Sequence, residues 1–149
     1  TVSDLSRVAG SWTPGFGYEF LQREDGYAGL VGAYQLRFAA QPKAMDLSLI
    51  YKALADRQVD VIAGDAPSAL IDQFGLTPLV VDRHYFPPYD AVPLVRTSAL
   101  LRHPEIRRAL DALAGRIPDA TMRAMNAAVD VRRESPAAVV RTFLSGVRH

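Results

Sequence analysis

Two short segments contain the residues whose types and spacing could bind a small charged solute. In the first, Phe20-Leu21-Gln22-Arg23-Glu24-Asp25-Gly26, one guanidinium and two carboxylates lie in a turn that ends at glycine. We expect Asp25 to cap the following helix, so that Arg23 projects beside a helix N-terminus, where anions are stabilised. From composition alone, a surface arginine paired with Glu24 explains the same residues.

The second segment, Arg83-His84-Tyr85-Phe86-Pro87-Pro88-Tyr89-Asp90, places three aromatic rings around two prolines. The prolines fix φ and reduce the entropy that the loop loses when it meets a ligand. Tyrosine faces attract a quaternary ammonium, which has no hydrogen to donate. The alternative is that these rings pack in the core at the end of a strand.

Composition and charge exclude several other functions. Seventeen basic residues face sixteen acidic ones, which gives a net charge of +1 and no basic surplus for nucleic acid or an anionic membrane. The chain has no cysteine, which removes disulfides, thiol catalysis and Cys-bound zinc. Its three histidines share no metal-binding helical spacing, so we expect neither a metal nor a cofactor.

An enzyme would have to use Glu24 with Asp25, or His84 with Asp82, as acid and base. The sequence contains no nucleophile elbow, P-loop or zinc motif to support catalysis. We therefore predict a protein that is not an enzyme.

The elements that position these segments are predicted from periodicity and from helix start and stop signals. Helix followed by short β-branched strand indicates an α/β fold with mostly parallel strands. The last three helices have apolar faces that the upstream strands cannot fully cover. Helices are predicted over 25–34, 46–57, 104–115, 119–128 and 135–146, and strands over 59–63, 78–81 and 92–95.

Four ordered motifs resemble the substrate-binding proteins of osmoprotectant ABC importers, the glycine betaine/choline/carnitine group of the ProX/OpuC type. The resemblance covers nearly the whole chain. The motifs are Tyr18-Glu19-Phe20-Leu21-Gln22-Arg23-Glu24-Asp25-Gly26-Tyr27-Ala28-Gly29-Leu30, the stretch from Met45-Asp46 to Gly64, the stretch from His84 to Arg96 that contains Phe86-Pro87-Pro88-Tyr89, and a tail with Leu113-Ala114-Gly115-Arg116-Ile117 and Met122 through Val131.

The resemblance implies a type II periplasmic-binding-protein fold, in which two α/β lobes close on a ligand. Residues 1–93 would be the second ligand-binding lobe. Residues 94–149 would be a return segment and C-terminal helices that pack on a first lobe absent from this chain. The implied function is the solute-binding component of an importer for quaternary-amine or betaine-type osmoprotectants.

Implied partners are a zwitterionic or quaternary-ammonium solute, an ABC permease subunit, and either the missing first lobe or a second copy of the chain. No nucleic acid is expected as a partner. The implied location is periplasmic or extracellular and membrane-associated, with any signal or membrane segment lying outside this chain.

The resemblance also implies the ligand-binding residues. Arg23 would bind the solute carboxylate, and Tyr89 would form part of an aromatic cage around the trimethylammonium. Phe86 and Glu19, from the same two motifs, complete the set with Asp65. Asp65 stands where family members have an aromatic residue or Asn, so it would either pair with a cation that bears N–H donors or be a solvated turn residue.

A competing interpretation is the effector-binding domain of a small-molecule-responsive transcription regulator, because the same bilobal fold senses small molecules there. The residue sequences of the first two segments favour the importer group over the regulator.

Overall fold

The computed structural model describes residues 1–87 and 90–147, which form two compact units. Among these residues, the first unit contains 1–66 and 70–87, and the second contains 67–69 and 90–147. The predicted assignment of 1–93 to a ligand-binding lobe and of 94–149 to a return segment stays a prediction.

A three-stranded parallel sheet organises the first unit. Its strands are β1 (Pro14–Gly17), β2 (Lys43–Met45) and β3 (Val61–Ile62), in the order β2-β1-β3. Gly15 on the central strand pairs with Lys43 on one side and with Ile62 on the other. The predicted α/β class with parallel strands is therefore confirmed.

Position 15 needs glycine because neighbouring side chains cover it. A Cβ there would lie 2.8 Å from a methyl group of Val59 and 3.2 Å from the terminal methyl of Met45. All four residues of β1 are buried, which is typical of a central parallel strand covered on both faces.

A side chain extends the short ladder between β1 and β3. The amide of Asp60 donates to the carbonyl of Thr13 at 2.8 Å. In return, the Asp60 carboxylate accepts from the amide of Thr13 at 2.7 Å. Two hydrogen bonds therefore join Thr13 and Asp60, which precede β1 and β3. They lengthen the pairing of β3, a strand of only two residues.

The helix predicted to begin after Asp46 is α3 (Leu47–Ala55). Asp46 caps it, because its carboxylate accepts from the amide of Ser48 at 2.8 Å. Two 3-10 turns, Ser3–Arg7 and Ala9–Ser11, precede the sheet. The α-helices are α1 (Tyr18–Gln22), α2 (Tyr27–Tyr34), α3 (Leu47–Ala55), α4 (Ala69–Gln73), α5 (Thr97–Arg102), α6 (Glu105–Asp111), α7 (Asp119–Asp130) and α8 (Pro136–Val147).

Three local predictions are wrong. Residues 78–81 and 92–95 are not strands, since neither segment joins the ladder; within 78–81, the carbonyl of Val80 accepts one hydrogen bond, from the amide of Val2. The N-cap of α2 is Gly26 and no side chain caps it, so Asp25 has a different partner. Strands β1 and β2 were not expected, because their residues carry little β-branched signal.

Two buried clusters form the core of the first unit. Val61 packs against a cluster that contains Val2, Leu5, Tyr34 and Leu36. Ile62, the next residue, packs against Ile50, Tyr51 and Ile71. Neighbouring strand residues point to opposite faces, so one cluster lies on each side of the sheet.

The second unit is built differently. Its described helices α5 to α8 bury few side chains; Ala128 and Val139 are the buried apolar ones on these four helices. By contrast, Leu94 is 94% exposed and Leu101 is 80% exposed. A shallow cavity of about 260 Å³ between α7 and α8 is lined by none of the predicted site residues.

Within residues 1–87 and 90–147, no helix has the length and apolarity to span a membrane.

Candidate functional site

The carboxyl ends of the three parallel strands lie at one edge of the sheet. Strands β1, β2 and β3 end at Gly17, Met45 and Ile62. Tyr18, the first residue of α1, follows β1 directly, and Asp65 follows the last residue of β3 by three positions. Ligands of open parallel sheets bind beyond this edge.

Arg23 follows α1 directly and its guanidinium is held by Asp25. Nε donates to one carboxylate oxygen at 2.8 Å and Nη2 donates to the other at 2.7 Å. The Glu19 carboxylate lies 3.7 Å from Nη1. The Arg23 guanidinium, as hydrogen-bond donor, holds the pKa of Asp25 below its usual range. The carboxylate that pairs with Arg23 is thus that of Asp25, in the same turn as the predicted partner Glu24.

The tight turn that contains this pair depends on Gly26. Its amide donates to the carbonyl of Arg23 at 3.0 Å. A Cβ at position 26 would overlap the carbonyl oxygen of Phe20, so the backbone approaches α1 more closely than other residues allow. This close approach places Asp25 beside the guanidinium.

The aromatic segment packs against this same region. The ring of Phe86 lies 6.3 Å from that of Phe20 and 5.0 Å from that of Tyr85. Phe20 in turn lies 5.0 Å from Phe16 on the central strand. Tyr27, whose pKa is raised by burial, packs 5.3 Å from Phe16. The two chemistry-bearing segments therefore converge through ring contacts.

Arg83 fastens the aromatic segment to the first unit. Its amide donates to the Tyr34 hydroxyl at 3.0 Å, and its Nη1 donates to the carbonyl of Ala33 at 2.7 Å. The guanidinium also lies 5.0 Å from the centre of the Tyr34 ring. Arg83 is thus committed to structural contacts.

The Asp82 carboxylate accepts from the amide of Ser3 at 3.0 Å. This hydrogen bond lowers the pKa of Asp82. The Asp82 carboxylate thus caps the backbone of Ser3.

Asp65 is exposed and its backbone is anchored. Its amide donates to the hydroxyl of Tyr51 at 2.9 Å. A Cβ at Gly64 would overlap that hydroxyl, so this position also favours glycine. The Tyr51 hydroxyl thus fixes the backbone of Asp65. Both interpretations of the Asp65 carboxylate stay open.

The structure thus brings Glu19, Arg23 and Phe86 into one region of the first unit and places Asp65 at the same sheet edge. Tyr89 lies outside the described residues. Sequence reasoning missed Asp25 as the partner of Arg23 and Tyr51 as the anchor of Asp65. The spacing Arg-x-Asp-Gly carried a signal for the first, whereas Tyr51 showed only the apolar spacing of a buried helix face. Among the described residues, no group of three or more His, Cys, Asp or Glu is arranged to hold a metal.

A parallel α/β unit with a cation and aromatic rings beyond its strand ends is suited to binding a small solute. Residues 1–146 match the family described as the substrate binding domain of ABC-type glycine betaine transport systems. The chain belongs to this family, which consists of substrate-binding domains rather than enzymes. The predicted importer family and its fold are confirmed.

Individual relatives agree with the family. The chain is 36% identical over 154 residues to a glycine-betaine-binding protein of Pseudomonas aeruginosa, covering 97% of this chain and 50% of the relative. It is 34% identical over 145 residues to the carnitine transport binding protein OpuCC of Listeria monocytogenes, covering 97% and 47%. A crystal structure of a glycine betaine/carnitine/choline ABC transporter superimposes with a TM-score of 0.88 at 31% identity, covering 98% and 53%. The chain thus spans about half the length of these relatives.

Proposed function

We propose that this chain is the second ligand-binding lobe of the solute-binding component of an ABC importer, and that its solutes are betaine-type zwitterions. The observation that supports the proposal is the convergence of the Arg23 turn and the Phe86 segment beyond the carboxyl end of the parallel sheet. A guanidinium suits a carboxylate, and aromatic faces suit a quaternary ammonium.

Each predicted residue has a role in this proposal. Arg23 binds the solute carboxylate, and Phe86 and Tyr89 supply aromatic surface for the trimethylammonium. Glu19, which is 72% exposed and lies 3.7 Å from Arg23 Nη1, lines the carboxylate end of the solute as a partner of Arg23. Asp65 favours cations that still carry N–H donors, because its carboxylate can accept hydrogen bonds from them.

The second unit supports a two-lobed arrangement. Leu94 and Leu101 are almost fully exposed, and large exposed apolar surfaces mark interaction sites. We propose that residues 94–149 pack on the first lobe of the solute-binding protein, with a second copy of the chain as the alternative cover. A ligand in a cleft needs both walls, so the chain alone binds weakly. The permease subunit is the proposed downstream partner, at a periplasmic or extracellular location.

The test compares Arg23→Ala with a matched arginine in the same unit, Arg7→Ala, whose side chain is 81% exposed. Calorimetry on the two-lobed protein should show that Arg23→Ala weakens glycine betaine binding at least about 100-fold, because a buried charge pair is lost. Arg7→Ala should leave the affinity unchanged. Choline has no carboxylate and should be much less affected by Arg23→Ala.

Tyr89→Ala tests the other end of the solute. Loss of one cation–π contact should weaken both glycine betaine and choline by about 3- to 30-fold. On the 149-residue chain alone, ¹⁵N NMR titration can follow the weak binding that is expected. Unchanged affinity in both the Arg23 and the Tyr89 variants would overturn the site.

A further inference from the structure

We propose that Gly29 is a positioning residue for the aromatic side of the solute site: because it has no side chain, Tyr85 can lie against α2, and Tyr85 in turn fixes the position of Phe86. This inference rests on the proposed function, because it assumes that Phe86 supplies aromatic surface for the ammonium group. Neither Gly29 nor Tyr85 belongs to the predicted set of ligand-binding residues.

The backbone of α2 at position 29 is in direct contact with the aromatic segment. A Cβ at Gly29 would overlap the Tyr85 hydroxyl and would lie 3.4 Å from the ring carbon that carries it. That carbon is at an ordinary contact distance, so the overlap with Tyr85 is confined to the hydroxyl oxygen. The same Cβ would overlap the carbonyl oxygen of Glu24, which belongs to the Arg23 turn.

Tyr85 has little room to move away from α2. Its ring lies 6.3 Å from that of Tyr34, which is 1% exposed, and it packs against the buried cluster that contains Tyr34. The chain is fastened two residues earlier, because the amide of Arg83 donates to the Tyr34 hydroxyl at 3.0 Å. Closely packed side chains pass a displacement on to their neighbours. A methyl group at position 29 would thus move the Tyr85 ring together with its neighbours.

Phe86 is the neighbour through which such a displacement would reach the solute site. Its ring lies 5.0 Å from the Tyr85 ring at an interplanar angle of 76°, closer than the 6.3 Å that separates it from the Phe20 ring. Edge-to-face pairs at this distance have a preferred geometry. A quaternary ammonium is attracted to a ring when it lies within about 6 Å of the ring centre, so a shifted Phe86 ring should bind it less well.

Gly29→Ala tests the inference, and Gly32→Ala is the matched control. Both glycines lie on α2, and a Cβ at Gly32 would have nothing within 4 Å. Calorimetry on the two-lobed protein should show about three- to tenfold weaker choline binding for Gly29→Ala and no change for Gly32→Ala. Choline is the probe because it has no carboxylate, so its binding does not report on the Arg23 turn that contains Glu24.

The double variant Gly29→Ala/Tyr85→Phe separates positioning from a general loss of stability. Removing the hydroxyl removes the overlap with Tyr85 and leaves the overlap with the Glu24 carbonyl. The choline affinity should return to within about twofold of that of the unsubstituted protein, whereas the urea midpoint should stay lowered. This gain should depend on the Gly29→Ala background, so Tyr85→Phe alone should not tighten choline binding.

Nuclear Overhauser effects give a second readout that needs no variant. In the unsubstituted two-lobed protein, the Tyr85 ring protons should show contacts to the Gly29 Hα protons. These contacts should persist at saturation with choline, since Tyr85 stays against α2 while Phe86 meets the solute. Loss of the contacts on saturation would overturn the inference.

Unchanged choline affinity in a folded Gly29→Ala, or no recovery in the double variant, would also overturn it. Failure of this inference and failure of the proposed function are distinguishable. If Tyr89→Ala weakens choline binding but Gly29→Ala does not, only the positioning role is wrong. If neither Arg23→Ala nor Tyr89→Ala changes the affinity, the proposed site itself is wrong.

Discussion

The two units differ in where their apolar side chains go. In the first, Ile50 is fully buried and Tyr34 is 1% exposed, because a parallel sheet offers two faces for helices to cover. In the second, Leu101 on α5 is 80% exposed. A stripe on a helix becomes core only when another surface covers it. The candidate site belongs to the first unit, which contains most of the buried apolar side chains among the described residues.

Ile50→Ala tests this contrast and should have the largest effect on stability. Removing a fully buried isoleucine from the first unit should lower its free energy of unfolding by about 3 kcal/mol. Leu101→Ala is the control from the second unit and should cost less than about 0.5 kcal/mol in the chain alone. Circular dichroism in urea measures both substitutions, and the fluorescence of Trp12, the single tryptophan, reports the first unit because Trp12 packs against the first cluster.

A Leu101→Ala cost equal to that of Ile50→Ala would contradict the contrast. It would mean that the second unit contributes packing that its exposure does not reveal.

Two glycines sharpen the comparison at the level of the backbone. Gly26→Ala should destabilise the first unit by about 2 kcal/mol, because a Cβ there meets the Phe20 carbonyl. Gly115 in the second unit has φ of +70° and open space around it. Gly115→Ala should cost about 1 kcal/mol, from the left-handed conformation alone. Urea unfolding followed by circular dichroism would measure both; a larger cost for Gly115→Ala would reverse the expected order.

Acid should have the smallest effect, and it acts on the first unit. Hydrogen bonds from the amides of Ser48 and Ser3 lower the pKa of Asp46 and Asp82 from 3.8. Their stabilisation is therefore fully present above that value and is lost as pH falls through the lower native pKa. The urea midpoint of Trp12 fluorescence should therefore stay level above about pH 5 and fall as the pH is lowered from about 4 to about 2.

The double substitution of Asp46 and Asp82 to Asn removes these titrations. It should flatten the pH dependence of the urea midpoint. An unaltered slope in the double variant would show that other carboxylates control acid unfolding.

The sequence predicted the parts of the fold that follow from local signals. Asp46 and the apolar spacing after it were enough for α3, and the proline and glycine signals located the last three helices. Strand β1 was missed because Pro14–Gly17 contains a proline and two glycines, and only pairing with two neighbours makes it a strand. Residues 78–81 failed in the opposite way, because β-branched side chains do not create a ladder partner.

For the candidate site, too, the sequence predicted the local features but not the long-range contacts. The motifs located Arg23 and the segment around Phe86, since each motif is a short continuous stretch of sequence. The contact between Phe20 and Phe86 depends on how the chain folds across more than sixty positions. The choice of Asp25 over Glu24 depends on the close approach of Gly26 to α1, a three-dimensional fact that side-chain types do not record.

The paired hydrogen bonds between Thr13 and Asp60 have a consequence for redesign. A slip of β3 by one residue would exchange Val61 and Ile62 between the two clusters and would shift Asp65 along the sheet edge. Asp60 prevents that slip by continuing the ladder with its carboxylate. The proposed effect of Asp65 on solute preference can therefore be tested by substituting Asp65, provided that Asp60 is kept to hold the strand register.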